Sequence, residues 1–382
     1  MSEYPIYLDY NATTPCDPQV VEAMLPFFTK HFGNAASKSH AHGWFAEEAV
    51  EYAREQIADL IGADAQEIVF TSGATESINL AIRGVAETYA VKGKHIITVA
   101  TEHKAVLDVC NYLQHHGYEI TILPVDQYGM IDVELLRQSI RRDTILIAAM
   151  FANNETGVIH PVASIGKIAR ENNVLFLCDA TQAVGKVPVN AQELGIDLMA
   201  FSSHKMYGPK GMGVLYVQKR SPKIELAPLI YGGGHERKMR SGTLNVPGIV
   251  GMGKAAQVCK SLMETDAKKL ASLARLFWEG VSSIGGVKWN GKQENSLPHV
   301  CNVLFTAPGS DQMIKLLAKH MSVSSGSACS SATASPSHVL KAMGLTDIEA
   351  YSSIRFSMGR FTTEQEIEKA IVTIREVQQR LQ

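Results

Sequence analysis

The chain has 382 residues, 46% hydrophobic and 19% charged, with 36 Lys and Arg against 38 Asp and Glu. That length suffices for two or three units with sizeable buried cores, and a net charge of −2 offers no basic face for nucleic acid or an anionic membrane. The opening Met1-Ser2-Glu3-Tyr4-Pro5-Ile6 has no basic stretch leading into an apolar one. No apolar run nears the ~20 residues of a membrane helix, so a soluble, cytoplasmic protein is expected.

From about residue 65, short apolar runs alternate with helical periodicity. The strands expected are Glu67–Thr71, His95–Ala100, Glu119–Val125, Thr144–Phe151, Val174–Asp179, Leu198–Ser202 and Gly213–Val217. Helices are expected at Thr75–Arg83, Ala105–His115, Val133–Ser139 and Ser164–Glu171. Continuously apolar strands alternating with helices predict an α/β unit whose mostly parallel sheet is covered on both faces.

After about residue 255 the texture changes to a long helical stretch, strands near Val287–Asn290 and Cys301–Phe305, and a helix at Asp311–Lys319. A last helix opens on Thr363-Glu364-Gln365-Glu366, a capping-box pattern, and carries Ile367, Ala370, Ile371, Ile374 and Leu381 on one face. Residues 16–255 are therefore expected to form a large domain, and 1–15 with 256–382 a smaller α+β domain.

Cysteines stand at positions 16, 110, 178, 259, 301 and 329, in no spacing that suits zinc or a disulfide framework. The first five sit among neighbours typical of buried strands and helices. Cys329 instead lies in a stretch of Ser, Gly and Ala from Ser322 to Ser335, with nothing bulky to pack it.

Three patterns close consecutive strands, where open α/β sheets place their ligands. Phe70-Thr71-Ser72-Gly73-Ala74-Thr75-Glu76 reads as strand, small-residue turn and helix start, either a plain helix cap or an anion cradle. Asp179, ending Phe176-Leu177-Cys178-Asp179, is either a cap or a partner for a pyridinium nitrogen. In Phe201-Ser202-Ser203-His204-Lys205-Met206-Tyr207-Gly208-Pro209, Lys205 directly follows an apolar strand and is poorly explained as a solvated charge. Partial burial would lower its pKa and free the amine for Schiff-base formation.

Together with Thr101-Glu102-His103-Lys104, these patterns resemble the class V aminotransferase group of pyridoxal-phosphate (PLP) enzymes. Within that group the chain is similar to the cysteine desulfurases of the NifS/IscS kind. The likeness runs nearly end to end, through Tyr7-Leu8-Asp9-Tyr10-Asn11-Ala12-Thr13-Thr14, Asn153-Asn154-Glu155-Thr156-Gly157 and Gly232-Gly233-Gly234-His235-Glu236-Arg237. It continues through Arg240-Ser241-Gly242-Thr243, Ser325-Gly326-Ser327-Ala328-Cys329 and Ser353-Ile354-Arg355-Phe356-Ser357.

The resemblance implies the type I fold of PLP-dependent transferases and a role for each matching residue. Lys205 would carry the cofactor and move the substrate's α-proton. Asp179 would pair with the pyridinium nitrogen, Gln182 with the phenolic oxygen, and His103 would stack on the ring and act as acid or base. Ala74, Thr75, Ser202 and His204 would hold the phosphate, with Thr243 reaching over from the second subunit of a homodimer. Asn34, Asn154 and Arg355 would meet the substrate, L-cysteine, with Arg355 clamping its carboxylate. Cys329 would take the sulfur as a persulfide on a mobile loop of about 322–335, and pass it to a sulfur-acceptor protein such as an iron–sulfur scaffold. No metal is implied.

Two departures qualify this picture. Asn34-Ala35-Ala36-Ser37 lacks the Pro usual after this Asn, and the sequence stops at Gln382, short of the tail with which housekeeping members dock an iron–sulfur scaffold. The alternatives are a selenocysteine lyase, another class V aminotransferase, or an inactive sulfur-relay subunit. The presence of Cys329 speaks against a plain transaminase, and that of Lys205, His103 and Asp179 against an inactive subunit.

Overall fold

In the computed structural model, which describes residues 5–307, 310–325 and 335–381, the chain opens on a two-residue strand, β1 (Ile6–Tyr7). Seven apolar runs then pair into one sheet. They are β2 (Ile68–Thr71), β3 (His95–Val99), β4 (Glu119–Leu123), β5 (Thr144–Met150), β6 (Leu175–Asp179), β7 (Leu198–Ser202) and β8 (Gly213–Val217). Their spatial order is β2-β8-β7-β6-β5-β3-β4. β8 runs against its neighbours β2 and β7, and the other pairings are parallel.

Alternation along each strand sends residues to two cores. Ile97, Ile147, Phe176, Met199 and Val214 face one, under the Ala41–Ile61 and Val162–Glu171 helices. Ile96, Leu146, Leu177, Ala200 and Leu215 face the other, under the Ala74–Thr88 and Lys104–Gln114 helices. Each fully buried Leu, Ile or Phe contributes about 1.5–3 kcal/mol, so the sheet is a rigid platform. β4 is an edge strand, exposed at Glu119 and Ile122.

A third core gathers around β9 (Val287–Trp289), β10 (Val300–Phe305), β11 (Met321–Ser322) and β12 (Ser353–Ser357). β12, β10 and β9 form an antiparallel sheet, and β1 pairs in parallel with β11, tying the N-terminal segment to this core. The Glu364–Leu381 helix closes it with Ile367, Ala370, Ile371, Ile374 and Val377. Its capping box forms: the Thr363 N–H donates to Glu366 Oε2 at 2.8 Å, and the Glu366 N–H to Thr363 Oγ1 at 3.2 Å.

The boundary expected at residues 255/256 falls inside one continuous helix, Val246–Ser282. Its first part packs Ile249, Met252 and Ala256 into the first core, and its last part packs Leu273, Phe277 and Val281 into the third. The helix expected at Asp311–Lys319 is shorter, a 3-10 turn at Ser310–Gln312 followed by Met313–Leu317. Cys110, Cys178, Cys259 and Cys301 are buried as expected, but Cys16 is only half-buried, since Thr14-Pro15-Cys16-Asp17 is a connecting segment rather than an apolar element. No helix among the described residues is long and apolar enough to cross a membrane.

Candidate active site

β2, β3, β5, β6 and β7 all end on one edge of the large sheet, and the segments leaving those ends carry most of the expected residues. Thr71 at the end of β2 and Ser202 at the end of β7 both pair with Gly213 of β8. A Cβ on Gly213 would lie 2.4 Å from Gly73 Cα, so the turn after β2 can rest on β8 only because residue 213 is glycine. That turn starts the Ala74–Thr88 helix, whose first N–H groups and positive dipole end point at this edge. Ser202 flanks it, 3.8 Å from where a Cβ of Gly73 would stand. Glu76 accepts the Ser72 N–H at 2.8 Å and pairs with Arg240 at 2.8 Å, tying the exposed turn that holds Thr243 to the helix start.

Lys205 sits in the Ser203–Lys205 turn after β7. Its amine donates to the carbonyls of Asn11 at 2.6 Å and Ala12 at 2.7 Å. The Asn11 carbonyl also accepts from Gln182 Nε2 at 3.1 Å, and Gln182 Oε1 accepts from Lys186 at 2.6 Å. His204 Nδ1 lies 3.1 Å from Thr13 Oγ1. Burial, and then Lys205, Lys210 and Lys186, push His204 down to about 4, leaving it neutral at physiological pH.

Asp179 ends β6, beside β7, and is 7% exposed. Its Oδ1 accepts the Thr181 N–H at 3.0 Å, so it does cap the following turn, and capping leaves its other oxygen for a second partner. Beside it lies Glu102, fully buried, whose Oε1 accepts the Met150 N–H at 2.6 Å, with Met150 in register with Asp179. Burial, and then the nearby Asp179, raise Glu102 well above the usual carboxylate range.

His103 caps the Lys104–Gln114 helix: its Nδ1 accepts the Ala105 N–H at 3.1 Å, which leaves the proton of the neutral ring on Nε2. Its ring and Thr75 line the same open cleft of about 460 Å³. Asn34 is exposed, its Oδ1 taken by the Ala36 N–H at 2.9 Å, so this turn closes without the missing Pro.

Arg355 reaches the site from β12. Its Nη2 donates to Asp9 Oδ1 at 2.6 Å and its Nη1 to the Asn154 carbonyl at 2.9 Å, while its buried Nε meets no acceptor among the described residues. Cys329 lies outside the described residues, but the chain on either side of it is tied to the site. Ser324 exchanges backbone hydrogen bonds with Arg355, and on the far side Ser337 Oγ donates to Glu155 while His338 Nε2 meets the Glu102 carbonyl at 2.9 Å.

Sequence reasoning assigned no role to Asp9, Asn11, Glu102 or Lys186. Asp9 and Asn11 lie in the Tyr7–Thr14 block and Glu102 precedes His103, but none shows a local pattern of its own. Asn11 is the hub: its carbonyl takes Lys205 and Gln182, its Nδ2 donates to the Asn154 carbonyl at 3.0 Å, and its Oδ1 lies 3.1 Å from His299 Nε2.

The class-V aminotransferase family matches residues 6–370. A cysteine desulfurase IscS of Klebsiella pneumoniae is 54% identical over 373 residues, covering 97% of this chain and 92% of the relative. A solved NifS-like protein superimposes with a TM-score of 0.92 at 37% identity, over 99% of this chain and 100% of the other. A structure of SspA in complex with cysteine follows at 0.84 and 36%, over 94% and 100%. The chain belongs to the class-V aminotransferases and, within them, to the cysteine desulfurases.

Proposed function

We propose that the chain removes sulfur from L-cysteine with PLP held at the sheet edge, giving L-alanine and a persulfide on Cys329. The observation that carries this is the convergence of Lys205, Asp179 and the Ser72–Thr75 turn on one edge of the sheet. These residues fit PLP. The glycine contact at 213 seats an N–H-lined turn for a phosphate, flanked by Ser202 and His204 and joined by Thr75. Lys205 would hold the cofactor's aldehyde carbon, Asp179 its pyridinium nitrogen and Gln182 its phenolic oxygen. When bound, PLP withdraws electrons from the substrate's α-carbon.

The chain's own residues would do the rest. Arg355, steadied by Asp9 and the Asn154 carbonyl, offers its Nε edge to the substrate carboxylate. Lys205 Nζ moves the α-proton, and His103 Nε2 holds a proton at the ring face. The Cys329 thiolate forms the new S–S bond as the substrate's C–S bond breaks, and the carbon left behind is protonated to alanine. The persulfide then passes to a sulfur-acceptor protein in the cytoplasm.

Two cores meeting along the Val246–Ser282 helix support a large unit of 16–255 and a small one of 1–15 with 256–382. Leu25, Phe28, Phe32, Trp44 and Phe45 leave apolar surface exposed, suited to a second copy of the chain. In such a homodimer Thr243 would reach the partner's phosphate.

Lys205→Ala tests the reading. The purified variant should lose the visible absorbance of covalently held PLP and form no alanine from L-cysteine. Alanine formation at the unaltered rate would overturn it.

A further inference from the structure

We infer that Lys186 is a positioning residue that fixes the Gln182 amide with its NH2 end toward the cofactor's phenolic oxygen. The inference rests on the reading above, that PLP stands between Lys205 and Asp179.

Gln182 and Lys186 are four apart in Thr181-Gln182-Ala183-Val184-Gly185-Lys186, a run of turns closed by the Val184 N–H to Ala180 carbonyl and Lys186 N–H to Ala183 carbonyl bonds, each 3.0 Å, with Gly185 at φ 78°. The two side chains meet across this turn. The two ends of a glutamine amide are alike in shape, so which one faces a site is decided by its partners. Here both partners agree. Lys186 Nζ, 2.6 Å from Oε1, is a donor and holds the amide's oxygen; the Asn11 carbonyl, 3.1 Å from Nε2, is an acceptor and holds the NH2. Gln182 is 4% exposed and Asn11 1%, so solvent does not supply substitutes.

A phenolate oxygen needs a donor. The reversed amide would turn a lone pair toward it, and Lys186 opposes reversal together with the Asn11 carbonyl. The site keeps this amine at a cost: burial, and then Lys205 and Arg355, bring Lys186 down to about 7. Methionine would fill a similar space without that penalty.

The test is a pH titration of the visible absorbance of the PLP-loaded enzyme, for wild type, Lys186→Met, Gln182→Leu, the double variant and Gln182→Glu. Losing a donor to the phenolate should move the transition upward, by about half a pH unit or more in Lys186→Met, roughly threefold in proton affinity. Gln182→Leu should move it the same way, and adding Lys186→Met to Gln182→Leu should move it no further. Gln182→Glu keeps the contact to Lys186 but presents no donor, so it too should shift upward, which gives an answer even if Lys186→Met fails to fold. An unmoved transition in Lys186→Met or Gln182→Glu would overturn the inference. So would additive shifts in the double variant, which would mean that Lys186 acts through its own charge. Failure of the PLP reading itself would appear separately, as absorbance retained in Lys205→Ala.

Discussion

Asp179 and Lys205 follow neighbouring strands of a sheet buried on both faces, whereas Arg355 comes from a second, three-stranded sheet and is steadied at the site by Asp9 and Asn154. On the strand side, ladder pairing sets each position, and a side chain can change its chemistry without moving. On the clamp side, ladder pairing with Asn302 also sets the Arg355 backbone, but its guanidinium is aimed by an ion pair to Asp9 and a hydrogen bond to the Asn154 carbonyl, 346 and 201 positions away in sequence, so aim and chemistry change together. Substitutions on the first side should therefore act on the chemical step alone, and those on the second should also alter substrate affinity.

Asp179→Asn would probe the strand side hardest. Asparagine can still accept the Thr181 N–H, so the fold should hold by circular dichroism, while loss of the pyridinium partner should lower kcat about a thousandfold or more, about 4 kcal/mol. A melted or misassembled variant would mean that the strand end is not the independent platform described. Arg355→Lys probes the clamp: a point charge cannot reproduce the planar fork that meets both Asp9 and a carboxylate. Steady-state kinetics should show kcat/KM for L-cysteine down about a hundredfold, about 2.7 kcal/mol, carried mainly by KM. A pure kcat loss would erase the contrast between the two sides.

The contrast also explains what the sequence made legible. β7 and β8 were readable to the residue, because continuous apolar runs ending in Ser202-Ser203 and starting at Gly213 leave little choice. The β6 and β7 runs delivered Asp179 and Lys205 to one edge. Asp9, Asn11 and Glu102 stayed without roles because their partners are remote in sequence or are backbone groups that no motif records. The start of the Val246–Ser282 helix was hidden by Gly248, Gly251 and Gly253, poor helix formers that stand at close approaches. A Cβ on Gly253 would come within 2.6 Å of Ala53 Cα on the Ala41–Ile61 helix. Which side chain fills a close approach is a tertiary fact, and the local pattern carries only its cost.

The smallest expected effect is on stability, at the clamp side's edge. Glu155, bonded to Ser337 and following Asn154, is pushed up to about 7 by burial. Its folded pKa lies above the ordinary glutamate value of 4.5, so its contribution to stability is fully present below pH 4.5 and is lost as pH rises through 7. Glu155→Gln removes that loss. Melting temperatures of variant and wild type should converge near pH 4.5 and separate in the variant's favour above pH 7, and parallel curves across that range would contradict the assignment.

The central claim is that cofactor chemistry on the strand ends and sulfur capture at Cys329 are separate steps. Cys329→Ser tests it most directly, because a hydroxyl is a poor nucleophile toward sulfur and cannot hold a persulfide. The variant should fold, bind PLP and change its absorbance on adding L-cysteine, yet form almost no alanine, while wild-type Cys329 gains one sulfur by mass spectrometry. Undiminished alanine formation by the serine variant, or a sulfur found only on another cysteine, would contradict the account.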